Sequence, residues 1–194
     1  KTTLVDLILR LLEPSRGNIL LDGTQISQIS KPEWYRNIGY VSQDLFLMND
    51  TIGSNIKFYD ESISEETVIA AAKLANIHEF ITALPEGYQT AIGERGVRLS
   101  MGQRQRIVIA RVLARNPQLL ILDEATSALD NESEAKVQEV IQNLRGRVTV
   151  IIIAHRLSTV VSCDRVIALT DGAVIEEGIP QRLLEDKTSY FYRV

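Results

Sequence analysis

Hydrophobic positions change period several times along the chain, and each change marks an element. Leu4, Leu7, Ile8, Leu11 and Leu12 fall at i, i+3, i+4, i+7 and i+8, an apolar stripe that predicts a helix at the very start. Glu13 and Pro14 end it, because proline disfavours helical backbone in the residue before it. Short apolar stretches follow at Asn18–Leu21, stopped by Asp22 and Gly23, and at Ile38–Ser42. From about Phe46 to Arg115 the texture is helical. Ser62 or Ser64 can cap a helix with Glu65 and Glu66 in its first turn and Val68, Ala71, Ala72 and Ala75 along one face. A short helix over Ile77–Leu84 and a long one from a Ser100 cap towards Asn116 and Pro117 complete the stretch.

Strand signals then return. Leu119–Leu122 and Val148–Ile153 are continuous apolar runs, expected of parallel strands buried on both faces. Between them Val137, Val140, Ile141 and Leu144 form a helical stripe, with Asn131 and Glu134 fitting a capping box and Gly146 a natural stop. Arg165–Leu169 and Val174–Glu177 flank a Thr170-Asp171-Gly172 hairpin signal, and a final amphipathic stretch covers Pro180–Tyr192. The order predicts an α/β domain with a mainly parallel sheet and an inserted helical subdomain.

Composition sets few further limits. Of 194 residues, 45% are hydrophobic and 24% charged, with a net charge of −4, as in an ordinary globular chain able to bury a core. That charge offers nucleic acid no global positive field. One cysteine, Cys163, excludes an internal disulfide framework. Apolar runs such as Val148–Ala154 fall far short of the roughly 18 residues that cross a bilayer. The first helix starts at Lys1 with no capping residue before it, so further sequence is expected upstream.

The chemistry concentrates at three places. An apolar strand delivers Asp123 and Glu124 at its carboxyl end, where α/β sheets bind ligands. One carboxylate there can help hold Mg²⁺ and the next can orient a water, although a core strand can also simply end in acidic loop residues. Lys1, Thr2 and Thr3, opening a helix, match the tail of the phosphate-binding motif GxxxxGK[ST]. About twenty residues before the paired acids, Leu99–Gln103 (LSMGQ) places Ser100 at a helix start, an arrangement that suits a phosphate.

LSMGQ resembles the LSGGQ signature of ATP-binding-cassette (ABC) ATPases. Gln43 after a strand resembles that family's Q-loop, the segment from Ser127 to Asp130 its D-loop, and His155 its switch histidine. The resemblance spans the whole chain, with the motifs in family order. It implies a RecA-like P-loop core over residues 1–43 and 116–194 and a helical signature subdomain over 44–115. Thr90–Gly96 (TAIGERG), Asn49–Ile56 and Leu84–Tyr88 look like the exporter subfamily, the first as its X-loop.

In that family two cassettes close head to tail around ATP. The resemblance implies that Lys1, Thr2 and Thr3 bind the phosphates and that Thr2, Gln43 and Asp123 hold Mg²⁺. Glu124 acts as base or water-orienting group, aided by Gln43 and His155. Ser100, Gly102 and Gln103 complete the site of a second nucleotide-binding domain, and Asp130 communicates across the interface. The implied partners are that second domain and the exporter's transmembrane domains, met through the helical lobe and X-loop at the cytoplasmic face of the membrane, and not nucleic acid. A soluble ABC ATPase of DNA repair or translation is the alternative, disfavoured by the acidic balance and the X-loop.

Two departures stand out. The glycines of the phosphate loop are absent, so this fragment on its own is expected to bind ATP poorly. Met101 replaces the signature's first glycine. A position needing positive φ would penalise it, whereas a helical position after the Ser100 cap would accept it, and the second is expected.

Overall fold

A computed structural model describes residues 1–124, 129–154 and 156–193 of the chain. Helix α1 (Thr2–Ile8) is followed by a small hairpin, β1 (Leu20–Leu21) and β2 (Thr24–Gln25), turned at Asp22 and Gly23, both at positive φ. Helix α2 (Lys31–Asn37), capped by Ser30, runs directly into β3 (Ile38–Val41). Helices α3 (Ile52–Lys57), α4 (Glu65–Leu74), α5 (His78–Thr82) and α6 (Met101–Leu113) come next. Strand β4 (Leu119–Asp123), helix α7 (Asn131–Asn143), strand β5 (Thr149–Ile153) and helix α8 (Leu157–Val161) return to alternation. The hairpin β6 (Val166–Thr170) and β7 (Ala173–Gly178) and the short helices α9 (Pro180–Glu185) and α10 (Tyr190–Arg193) end it.

Strands β3, β4 and β5 form a parallel sheet in that order, with Val41 opposite Leu122 and Asp123 opposite Ile153. Each face of the sheet has its own core. Val41, Leu120 and Leu122 pack with Ile107, Val108, Val137 and Val140 of α6 and α7, while Ile121 packs with Val5 and Leu9 beside α1. Gly39 allows the first of these packings, since a Cβ there would sit 2.1 Å from Val112 Cγ1 in α6. Arg111 fastens α6 to α3 and to the loop before it through the carbonyls of Asn55 and Phe46, both at 2.7 Å, and stacks on Phe58. Burial, and then the nearby Arg115 charge, pull its guanidinium down to about 10.

Four local expectations need correction. The first helix stops at Ile8, because Arg10 turns to positive φ and its guanidinium bonds the Ile29 carbonyl. Val5 and Leu9 are therefore the buried pair, and Leu4, Leu11 and Leu12 are exposed. Strand β4 is buried on both faces, but β5 is only half-buried. Its outer edge lines a groove of about 1150 Å³ shared with Val166, Ile167 and Leu169 of β6. Helix α7 is capped by Asp130 rather than by a box of Asn131 and Glu134. The C-terminal amphipathic stretch is two short helices with Asp186–Ser189 between them, where the Asp186 side chain accepts from the Thr188 N–H and hydroxyl.

Candidate functional site

The expected site residues fall into two groups. The first lies where α1 begins and where the parallel strands end. Asp123 closes β4, and Glu124 follows it at φ 49°, its N–H bonded to the Ile153 carbonyl at 3.0 Å. That left-handed residue ends the extended backbone directly after the strand, with two carboxylates adjacent at its tip. Gln43, just past β3, donates from Nε2 to Glu124 Oε2 at 3.1 Å. Lys1 immediately precedes α1 without capping it through its side chain, and its exposed ammonium reaches the Ala154 carbonyl beyond β5 at 3.4 Å. Thr2 and Thr3 form the exposed first turn, where helical N–H groups have no acceptor inside the helix. Lys1, Gln43 and Glu124 thus converge at the carboxyl ends of three adjacent strands.

The second group lies where α6 and α7 start. Ser100 caps α6 in a complete capping box: the Gln103 N–H donates to Ser100 Oγ at 3.2 Å, and the Ser100 N–H donates to Gln103 Oε1 at 2.9 Å. Met101 is the first helical residue and partly exposed, as expected of a position that tolerates a side chain. Gly102 is different. A Cβ there would sit 2.3 Å from Ser133 Oγ and 2.5 Å from Ser133 Cβ in α7, so only glycine lets the two helices meet this closely. Asp130 accepts from the N–H of Ser133 at 3.0 Å and from its hydroxyl at 2.8 Å, and these bonds hold its carboxyl below the usual range. Gly102 and Asp130 are therefore linked through Ser133. Ser127 and His155 lie outside the described residues.

Three neighbours were not anticipated. Tyr40 shares a sheet face with Ile121 and Asp123, and its hydroxyl bonds Asp123 Oδ2 at 3.3 Å. Burial, then the Asp123 carboxylate, raise its phenol. Period-two alternation on β3 would have flagged it, given the register with β4. Glu134 and Arg156 form an ion pair across 22 positions, which no local pattern reveals.

A family model for the ABC transporter matches residues 1–127. The chain is 48% identical over 191 residues to the ATP-dependent lipid A-core flippase of Syntrophus aciditrophicus (strain SB), covering 98% of this chain and 32% of that protein. It is 49% identical over 193 residues to the Toxin RTX-III translocation ATP-binding protein of Actinobacillus pleuropneumoniae, covering 99% of this chain and 27% of that one. The chain thus spans about a third or less of these curated relatives' lengths. Among solved structures, a bacterial Atm1-family ABC exporter with ATP bound superposes over 100% of this chain and 34% of its own, with a TM-score of 0.89 and 40% identity. With the motif residues grouped as described, the chain belongs to the ABC transporter family, as a nucleotide-binding domain of the exporter type.

Proposed function

We propose that this chain is the ATP-binding and hydrolysing domain of an ABC exporter, coupling ATP-driven closure of two such domains to export across a membrane. The hydrogen bond between Gln43 and Glu124 at the strand tip carries the reading. It joins a residue expected to help hold Mg²⁺ and sense the attacking water to the carboxylate expected to act on that water.

Phosphoryl transfer to water needs positioning and charge stabilisation more than covalent chemistry. Lys1 neutralises phosphate charge, with the first-turn N–H groups of Thr2 and Thr3 beside it. Glu124 accepts a proton from, or orients, the attacking water. Gln43 holds that carboxylate, and His155 contacts the terminal phosphate. In the partner's site, Ser100, Gly102 and Gln103 supply a helix start, and Asp130 signals across the interface. Residues 1–43 and 116–194 form the nucleotide-binding core, and 44–115 form the lobe that meets the transmembrane domains at the cytoplasmic face, together with Thr90–Gly96.

The donor set suits Mg²⁺ shared with phosphates. Among the described residues no three His, Cys, Asp or Glu side chains cluster as a cage. Mg²⁺ commonly takes one or two protein ligands and completes its shell with phosphate oxygens and water. Asp123, Thr2 and Gln43 would hold it, and when bound it would neutralise charge that develops on the phosphates.

Phosphate release from ATP by the intact protein tests the reading: release that depends on a divalent cation is expected, and none would refute it. Met101 bears on the same assay. Because it is helical and partly exposed, Met101→Gly is expected to change turnover by no more than about threefold. A hundredfold gain would show that the signature needs a glycine there.

A further inference from the structure

On the face of the parallel sheet that α1 covers, side chains are apolar almost to the strand ends. Ile38 of β3, Leu119 and Ile121 of β4, and Ile151 and Ile153 of β5 pack there with Val5 and Leu9. Side chains alternate between faces along a strand, and Tyr40 lies opposite Ile121. Tyr40 and Asp123 are therefore on this face too, both polar and both towards its carboxyl end. The Tyr40 hydroxyl reaches past Ile121 and donates to Asp123 Oδ2 at 3.3 Å. An ionised carboxylate can only accept, so the phenol supplies the proton.

Packing does not call for this oxygen. Tyr40 is 37% exposed, and a phenylalanine ring would cover the same part of the sheet. What the hydroxyl adds is direction. A carboxylate at a strand tip can turn about two side-chain bonds, and engaging Oδ2 fixes the plane that Oδ1 shares. Residues that orient a metal ligand in this way tune a site without touching the ion. Asp123 is held on the side of the sheet that carries α1, whose first turn contains Thr2 and Thr3.

We propose that Tyr40 is a positioning residue for the divalent cation of the nucleotide complex: its hydroxyl holds Asp123 in the orientation that the cation needs. The inference rests on the Mg²⁺ reading above, in which Asp123 is a ligand. Tyr40 acts through that carboxylate and is not a ligand itself.

The test uses the intact protein, saturated with ADP and titrated with Mn²⁺, whose binding is read by electron paramagnetic resonance. Tyr40→Phe removes one oxygen and is expected to weaken Mn²⁺ binding about tenfold. ADP affinity measured in EDTA and the denaturation midpoint should barely move, whereas a packing defect would lower the midpoint. Asp123→Ala is the reference. It should weaken Mn²⁺ binding further, with the nucleotide phosphates still holding enough of the ion for its affinity to be measured. Adding Tyr40→Phe to it should cost nothing more, since the hydroxyl then has no carboxylate to hold. Wild-type Mn²⁺ affinity in Tyr40→Phe, or an undiminished loss on top of Asp123→Ala, would overturn the proposal. If Tyr40→Phe fails to fold, Tyr40→Ile, suited to a strand, takes its place, and unchanged Mn²⁺ affinity there overturns it. Should Asp123→Ala bind Mn²⁺ weakly while Tyr40→Phe binds it normally, this inference alone fails. Unchanged affinity in Asp123→Ala would sink the Mg²⁺ reading and this one with it.

Discussion

Glu124→Gln in the intact protein is expected to cut ATP turnover by about a hundredfold or more while leaving nucleotide binding within a few-fold of wild type. The amide keeps the shape of the carboxylate and can still meet Gln43, whose Nε2 now lies 3.1 Å from Glu124 Oε2. What it loses is basicity and negative charge, which matter most as the water gives up its proton. An interaction used mainly in the transition state lowers kcat rather than affinity. Pre-steady-state phosphate release and nucleotide binding, measured on one preparation, separate the two effects. A variant with normal turnover would remove Glu124 from the chemistry, whereas one that bound no nucleotide would recast it as a binding residue.

The largest expected effect on packing comes from Gly102→Ala. Its new methyl would fall 2.5 Å from Ser133 Cβ and 3.5 Å from Ser133 Cα. Contacts that short to atoms near the backbone cannot be relieved by turning a flexible chain end, so α6 and α7 must separate. Overpacking of this kind costs about 1–3 kcal/mol, which lowers the melting temperature by roughly 2–4 °C per kcal/mol in a domain of this size. Ser133 also donates both its bonds to Asp130, so the strain reaches the cap of α7. The companion change Ser133→Gly removes the obstructing side chain and should recover most of the loss in the double variant. A Gly102→Ala protein as stable as wild type would mean the helices can slide apart at no cost.

Much of this was legible in the sequence because the relevant signals are local. The Leu119–Asp123 run, the Ser100 cap with Gln103 three residues on, and the Asp171-Gly172 turn each specify their structure within a few residues. Where the reading missed, the cause was tertiary. The stripe from Leu4 to Leu12 was broken by Arg10, whose positive φ comes with a hydrogen bond to Ile29 nineteen positions away. The run around Ile151 looked doubly buried, but its apolar character does not reveal that a groove flanks one side of the strand. Glu134 fitted a capping box by spacing. Arg156 and Ser158, 22 and 24 positions distant, supply its partners instead. Tyr40 beside Asp123 depends on strand register, which becomes visible only once the two strands are paired.

Whether each ATP site is shared between two copies can be decided with mixed dimers, purified through two different tags and assayed for phosphate release. One copy carries Glu124→Gln and the other Ser100→Arg, or else a single copy carries both changes beside a wild-type partner. If Glu124 of one copy faces Ser100 of the other, splitting the changes leaves one intact site and substantial turnover, while combining them in one copy damages both sites and abolishes it. The reverse pattern, activity only when one copy carries both changes, would mean that each copy holds a complete site of its own and would contradict the account.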